Sequence, residues 1–252
     1  MVPTSAINTS CVSTEILMQA QIVVYMMLTA PLFLAKDERP KTMRYVRPAG
    51  SEYSVETEIT LKRSSEGHSI SSVTHRGQTH LSLASVFDAG GHLQSAIVTI
   101  VSDGSQQTTK ADIAGRMVTV TRSNGRMDEL DCPSGIIVTS APDWTDTFML
   151  MSRYDDKKGE EQRFDGLWIH PTLRPLRLSF TVKYEGTDAI EFKGKTQPLE
   201  RFSIVLRNES RYVAWRNGQR ELVRLVANGQ EQPTIVFEGW EQATVLLIPR
   251  SH

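Results

Sequence analysis

Apolar and polar side chains alternate along much of the chain after residue 52. In the segment YSVETEITLKR, the odd-numbered positions carry Tyr53, Val55, Ile59 and Leu61, and the even-numbered positions are polar. Alternation with a period of two is typical of a strand with one buried side and one side towards solvent. The pattern therefore predicts a half-buried β-strand at the start of the folded region.

Further strand-like segments follow at short intervals, and turn-forming residues such as Arg76-Gly77 and 88–91 separate them. Many short strands at this spacing predict an all-β fold, mainly antiparallel, built as a sandwich or as a long curved sheet or half-barrel. Repeated strand–helix–strand units are absent, which argues against a doubly wound fold. The later segments are 69–75, 79–88, 93–103, 167–172, 176–186, 189–194, 199–208, 234–241 and 243–249.

One segment in the middle of the chain has helical spacing instead. Trp144, Phe148 and Met151 recur at intervals close to one helical turn, after a Pro-Asp pair and before a Lys-Lys-Gly stop. The pattern predicts a helix near 143–157. No repeat or low-complexity linker divides the strands around it, so we expect residues 36–252 to form a single antiparallel β domain with one inserted helix.

Residues 16–35 form a run of 20 positions without a charged side chain. Such a run is long enough to span a bilayer as an apolar helix, or to serve as the apolar region of an export signal. We expect residues 1–35 to be a signal or membrane-anchor segment, which contacts the membrane if it is not cleaved. The predicted location is the periplasm or cell envelope. A buried core helix is the alternative.

The charge balance of the chain excludes several partner classes. Lys and Arg total 28 and Asp and Glu total 29, which leaves a formal net charge of −1. A general nucleic-acid binder would carry a basic excess, so we expect no nucleic-acid partner. The two cysteines, Cys11 and Cys132, stand in no Cys-x-x-Cys or Cys/His pattern, so the sequence supports no zinc site.

No pattern of residues indicates an enzyme. The six histidines show no convergent spacing of the kind that a metal site needs. Phosphate-binding loops, dinucleotide fingerprints and the nucleophile elbow are also missing. We therefore expect no catalytic residues, no metal and no cofactor. If the protein were nevertheless an enzyme, His170 and Asp165 would be the first pair to consider.

The segment RYVAWRNGQRELVRLV contains the Asn217-Gly218 pair, which favours a two-residue type I′ hairpin turn. That loop would place Trp215 opposite Arg220. Both sides of the predicted hairpin then mix apolar and charged residues, which suggests a sheet covered on one side and partly lined on the other. The alternative is an ordinary edge hairpin whose arginine stems cover apolar surface.

With this hairpin and the helical segment DWTDTFMLMSRYDDKKG in place, the order of elements resembles uncharacterised bacterial envelope proteins built on a long antiparallel half-barrel. These are similar in architecture to lipoprotein carriers of the LolA/LolB type. The resemblance covers about residues 45–249. It implies that the sheet wraps the helix and an apolar cavity able to take acyl chains, and it supplies no catalytic residue.

We therefore expect a non-enzymatic envelope protein that binds a lipid or another apolar small molecule. The alternative is a structural or protein-interaction scaffold with a filled core, which binds an envelope protein partner through an exposed strand edge. Aromatic and methionine side chains of the helix and the sheet are the candidate ligand contacts, although an ordinary core would use the same residues. They are Trp144, Phe148, Met151, Phe180, Phe202, Trp215 and Trp240.

Overall fold

The computed structural model describes residues 38–47, 55–140, 144–206, 210–227 and 234–245. The segment 1–35, with its predicted apolar helix, lies outside these residues. Within them the chain forms sixteen strands and one helix. The strands are β1 (Glu38–Val46), β2 (Val55–Ser64), β3 (Gly67–Arg76), β4 (Thr79–Asp88), β5 (Leu93–Ser102), β6 (Ser105–Ala114), β7 (Met117–Arg122), β8 (Met127–Asp131), β9 (Ile137–Thr139), β10 (Glu161–Trp168), β11 (Leu176–Phe192), β12 (Lys195–Leu206), β13 (Ser210–Arg216), β14 (Leu222–Ala227), β15 (Ile235–Phe237) and β16 (Thr244–Val245), and the helix is α1 (Thr145–Arg153).

All the described strands belong to one sheet. Fifteen lie side by side in the order β8-β7-β6-β5-β4-β3-β2-β1-β15-β14-β13-β12-β11-β10-β9, and β16 pairs with β11 off this path. Each neighbouring pair is antiparallel except β9 and β10, which are parallel. The prediction of a mainly antiparallel β fold with one inserted helix is confirmed for the described residues.

The sheet curves around α1. Near the end of the helix, the Arg153 guanidinium lies 5.4 Å from the ring centroid of Phe87 on β4. The Met151 carbonyl, two residues earlier, accepts a hydrogen bond of 3.2 Å from Arg216 on β13. These strands are six positions apart in the sheet, which in a flat sheet would separate them by about 29 Å. Because one turn of helix contacts both, the sheet has the curvature of a barrel-like fold.

The main hydrophobic core fills the space between α1 and the concave side of the sheet. Burial alternates along the strands, as in β4, where Leu81, Leu83, Ser85 and Phe87 are buried and the positions between them are more exposed. The helix contributes Leu150 and Met151, which are both fully buried. The period-two pattern of the sequence therefore marks the side of each strand that lies against the helix.

A second, smaller cluster covers the opposite side of β11 to β14. Trp215 of β13 belongs to it, whereas its neighbour Arg216 lies on the helix side. A β-bulge in the β13–β14 pairing adds an extra residue opposite this point. Both sides of the hairpin are therefore covered, which explains why neither has a purely polar sequence. The cluster consists of Ile190, Leu199, Trp215, Val223 and Val226.

The hairpin register differs from the predicted one. Trp215 pairs with Arg224, not with Arg220. The loop is longer than two residues, because the Asn217 amide donates to the Glu221 carbonyl at 3.0 Å. The Asn217 side-chain oxygen accepts from the Gln219 and Glu221 amides, which stabilises this wider loop. Arg220 in this loop adopts the left-handed backbone conformation, with a φ of +64°.

The helix is shorter than the predicted span of 143–157. It ends at Arg153, because Tyr154 adopts an extended backbone with ψ of 125°. Tyr154 packs its ring against Phe202 with the centroids 5.0 Å apart. The predicted start at Asp143 lies outside the described residues. The end of the helix is thus set by a core contact of Tyr154 and not by the later Lys-Lys-Gly turn.

Candidate functional site

A cavity of about 440 Å³ opens beside the C-terminal end of α1. Its floor is apolar and comes from three neighbouring strands and the helix: Met43 of β1, Leu61 of β2, Ile70 of β3 and Phe148 of α1. The volume lies within the range of about 300–1,000 Å³ that is usual for small-molecule sites. The space is therefore large enough for a small ligand and presents an apolar surface to it.

The mouth of the cavity is basic. Arg39 and Lys41 of β1, Arg63 of β2 and Arg220 of the hairpin loop all line it. Glu221 is the one carboxylate among the described lining residues, so the formal charges at the mouth give an excess of positive charge. The cations come from three separate parts of the chain, and the strand order β2-β1-β15-β14 places these parts near one another in the sheet.

An ion pair holds the hairpin loop against β1 at this mouth. Lys41 donates to the Glu221 carboxylate, and the Asn217 side-chain amide donates to the same group at 2.9 Å. Burial of Glu221 disfavours its ionised form, but the hydrogen bonds from Lys41 and Asn217 outweigh this effect. The pKa of Glu221 therefore lies below its usual value.

His68 lies on the rim of the cavity, where its ring stacks on Phe87 with a centroid separation of 4.6 Å. Burial lowers the pKa of His68, and the positive charges of Arg153 and Arg63 lower it further, whereas Asp88 acts in the opposite direction. The imidazole is therefore neutral near pH 7. The nearby charged groups are thus two arginines, Arg153 and Arg63, and one carboxylate, Asp88.

A buried arginine joins the hairpin to the end of the helix. Arg216 is 1% exposed, and its guanidinium lies 4.7 Å from the ring centroid of Phe202. Its Nε donates to Glu200 at 2.8 Å, and its two Nη atoms donate to the Met151 carbonyl at 3.2 Å and to Asp156 at 2.5 Å. Each nitrogen of the guanidinium has a partner, which fixes the hairpin relative to α1.

The same carboxylate also positions Arg220 at the mouth. Asp156 lies 3.4 Å from the Arg220 Nη2, and this nitrogen also donates to the Tyr154 carbonyl. Asp156 therefore connects Arg216, which is buried, to Arg220, which is half-exposed at the cavity. Both arginines therefore attach the hairpin loop to the residues that follow the helix.

Five of the seven predicted ligand residues lie on the concave side. Met151, Phe180 and Phe202 are buried in the main core, and Trp144 packs against that core at the start of α1. Phe148 also belongs to the core and is a lining residue of the cavity. The structure thus brings these five residues together around the helix and places Phe148 at the cavity itself.

The other two predicted residues lie on the opposite side of the sheet. Trp215 donates its indole N–H to Asp188 at 3.0 Å, and the Arg224 guanidinium lies 5.3 Å from its ring. Trp240 stacks on Phe192 with centroids 4.0 Å apart and packs against the same cluster. The predicted set is therefore divided between the two sides of the sheet.

The basic residues at the mouth are absent from the predicted set, although the sequence contains a signal for them. Lys41 has the same odd parity as Met43 in β1, and Arg63 has the same parity as Leu61 in β2. A charged residue that continues the buried parity at the end of a strand lies on the concave side. Such residues therefore mark the rim of a curved sheet.

Among the residues that the structure describes, no group of three or more His, Cys, Asp or Glu side chains could hold a metal ion. His170 stacks on Trp168, and its Nδ1 accepts from the Thr172 amide at 3.2 Å. Cys132 is a buried free thiol, and burial raises its pKa. In this part of the chain no helix is both long and apolar enough to cross a membrane.

The fold and the site define a class: a curved antiparallel β-sheet around a single helix, with a cavity that has an apolar floor and a basic mouth. Two solved structures are similar to this chain. One is a β-barrel-like protein of domain of unknown function DUF1849 from Brucella abortus, with a TM-score of 0.46 and 10% sequence identity, covering 82% of this chain and 95% of that one.

The second similar structure is a DUF1089 family protein from Pseudomonas aeruginosa, with a TM-score of 0.41 and 13% identity, covering 77% of this chain and 92% of that one. At these TM-scores the likeness is distant and carries no functional conclusion for this chain. No protein-family model matches the sequence, and no curated protein matches it.

Proposed function

We propose that this protein binds a lipid or another apolar small molecule in the cavity beside α1 and that it acts by binding, without catalysis. We also propose that it works in the periplasm or cell envelope, with residues 1–35 as its signal or membrane anchor. The single observation that carries the binding proposal is the cavity of about 440 Å³ with its apolar floor. The charge-free run at residues 16–35 supports the proposed location.

The size of the expected affinity follows from the apolar floor. Transfer of one methylene group from water to an apolar surface contributes about 0.8 kcal/mol, so eight buried methylenes contribute about 6 kcal/mol. Ordering the chain and losing its freedom of movement offset part of this gain. We therefore expect an acyl ligand that makes few polar contacts to bind no more tightly than about 40 μM, with a Kd between about 40 μM and about 1 mM.

A neutral fluorescent probe tests the proposal directly. The full chain is titrated in detergent-free buffer with N-phenyl-1-naphthylamine, whose fluorescence increases in an apolar site. Ser152 of α1 is a lining residue with an exposed side chain, so Ser152→Trp fills the cavity without replacing a core residue. Ser105→Trp is the matched control, because Ser105 is exposed at the start of β6.

We expect saturable binding to the wild type and to Ser105→Trp, and a loss of at least about tenfold in affinity for Ser152→Trp. Equal binding by both variants would show that the probe binds elsewhere. Absence of saturable binding to a folded wild type would contradict the proposed function.

A protein-interaction scaffold is the second candidate, and an exposed edge strand favours it. Among the described strands, β8 lies at one end of the sheet and pairs with β7 alone. Its first residue, Met127, is 59% exposed. An edge of this kind can accept a strand from a partner. Met127→Lys would weaken such an interaction in a pull-down from envelope extract and would leave probe binding unchanged.

A further inference from the structure

We propose that His75 and His80 form a binding site for one divalent transition-metal ion of the copper(II) type, on the side of the sheet opposite the cavity. Their imidazole rings lie on neighbouring strands, with the two Nδ1 atoms 2.5 Å apart. Water molecules complete the coordination of the ion. This inference goes beyond the proposed function, because neither histidine lines the cavity beside α1.

The strand pairing brings the two histidines together. His75 lies near the end of β3 and His80 near the start of β4, and the two residues are directly opposite each other in the antiparallel register. Directly opposed residues have Cβ atoms about 4.5–5.5 Å apart. The two-residue loop of Gly77 and Gln78 joins the strands and sets this register. The backbone therefore holds both potential ligands in position before an ion binds.

Both imidazoles lie on the convex side of the sheet, towards solvent. Their chain neighbours Thr74 and Leu81 are buried, whereas both histidines are exposed. Because successive side chains of a strand point to opposite sides, the sheet separates the histidine pair from the cavity. An ion can therefore reach the pair directly from solvent.

The facing Nδ1 atoms are the feature that indicates a metal site. The rings meet at 83° with their centroids 4.6 Å apart, so they are not stacked, and each Nδ1 faces the Nδ1 of the other ring. Such a contact is favourable only when one Nδ1 carries a proton and the other accepts it. Two convergent nitrogen atoms that share one proton can instead share a metal ion, for which neutral imidazole is a common ligand.

The distance between the two nitrogen atoms favours one class of ion. With metal–nitrogen bonds of about 2.0–2.1 Å, two adjacent nitrogen ligands lie about 2.9 Å apart in tetragonal coordination and about 3.3–3.4 Å apart in tetrahedral coordination. The pair must therefore open by about 0.4 Å for the first geometry and by about 0.8–0.9 Å for the second. Cu²⁺ prefers tetragonal coordination, so we expect it to bind more tightly than Zn²⁺.

A nearby carboxylate is already paired with an arginine. Glu56 of β2 is directly opposite His75, and its Oε2 lies 3.4 Å from the Arg44 Nη2. We therefore assign two protein ligands to the site, which agrees with the absence of a metal-binding group of three or more side chains from the described residues. Removal of either histidine should leave a single ligand and abolish chelation.

Isothermal titration calorimetry of the full chain with Cu²⁺ at about pH 7.5 tests the inference, and electron paramagnetic resonance reports the nitrogen ligands of the bound ion. His75→Gln and His80→Gln should each weaken binding at least about tenfold, since even groups that only support a metal ligand contribute about 10–100-fold to affinity. Both side chains are exposed, so we expect both variants to fold normally.

An exchange of two residues on β4, His80→Ala/Ala84→His, is the matched variant, because it leaves the composition of the chain unchanged. Ala84 is exposed on the same side of the sheet as His80. Four residues along a strand correspond to about 14 Å, which is too far for the two imidazoles to bind one ion. We expect this exchange to lose the site. His92→Gln should keep it, since the His92 side chain is 59% exposed on the turn before β5.

The outcomes decide the inference directly. Undiminished Cu²⁺ binding by the exchanged chain would overturn it, because exposed histidines in general would then explain the binding. An equal loss of affinity in His92→Gln and His75→Gln would overturn it for the same reason, as would the absence of Cu²⁺ binding to the wild type. Equal affinities for Cu²⁺ and Zn²⁺ would overturn the copper(II) assignment.

Discussion

Replacing Arg216 with methionine perturbs the attachment of the β13–β14 hairpin to the end of α1. Arg216 is 1% exposed and donates to Glu200, to the Met151 carbonyl and to Asp156. Methionine is also a long, unbranched side chain, so it can keep the contact with Phe202 while it removes the charge and all three hydrogen bonds. The substitution thus isolates the polar part of the attachment.

The expected cost follows from the exposure of the partners. Hydrogen bonds to charged groups contribute about 1.5–3 kcal/mol each, and breaking a fully buried ion pair costs about 3–5 kcal/mol. Here the side chains of Glu200 and Asp156 are 39% and 47% exposed, so water can hydrate them once Arg216 is absent. We therefore expect Arg216→Met to lower the free energy of unfolding by about 2–4 kcal/mol.

Urea denaturation, followed by far-UV circular dichroism, measures this change in the free energy of unfolding, and thermal denaturation measures the corresponding change in Tm. For a chain of this size each kcal/mol corresponds to about 2–4 °C in Tm, so Tm should fall by about 4–16 °C. Arg163→Met is the control, because that side chain is 83% exposed and its loss should change stability by no more than about 0.5 kcal/mol. A loss below about 1 kcal/mol for Arg216→Met would refute the reasoning.

Two further predictions concern the turn glycines and the rim histidine. Gly67→Ala should destabilise the fold by at least about 3 kcal/mol, because a Cβ at this positive-φ position would lie 2.1 Å from the Phe87 carbonyl oxygen. Gly218→Ala should be neutral or slightly stabilising, since nothing lies within 4 Å of its Cβ position. Thermal unfolding checks both variants, and a clear loss of stability in Gly218→Ala would favour the type I′ turn that the sequence predicts. Because the pKa of His68 is lowered in the folded state, its contribution to stability is present above the ordinary value of 6.5 and is lost as pH falls through the lowered pKa. His68→Gln should therefore lose less stability than the wild type between about pH 7 and about pH 4, and parallel pH profiles for the two proteins would contradict this assignment.

The strands and the helix were predictable because they depend on local patterns. The alternation from Glu56 to Ile59 is the alternation of exposed and buried positions in β2. The hairpin register was not predictable in the same way. It depends on hydrogen bonds from the Asn217 side-chain oxygen to the Gln219 and Glu221 amides, which widen the loop and move the pairing of Trp215 to Arg224.

The candidate site was less accessible to sequence reasoning than the fold. Large apolar residues such as Met151, Phe180 and Phe202 indicate where a core forms, but an unfilled volume depends on how neighbouring side chains pack across strands. At the mouth of the cavity, Lys41 donates a hydrogen bond to Glu221, although the two residues are 180 positions apart in the chain. Proximity of that kind follows from the strand order of the sheet, in which only β15 separates β1 from β14, and no local pattern specifies that order.

The proposed function requires that the cavity beside α1 holds a lipid or another apolar small molecule. The most direct measurement is solvent extraction and mass spectrometry of the full chain after purification without detergent, with Ser152→Trp in parallel. We expect a stoichiometric lipid or other apolar small molecule in the extract of the wild type and its loss from that of Ser152→Trp. The same lipid content in both proteins would contradict the claim.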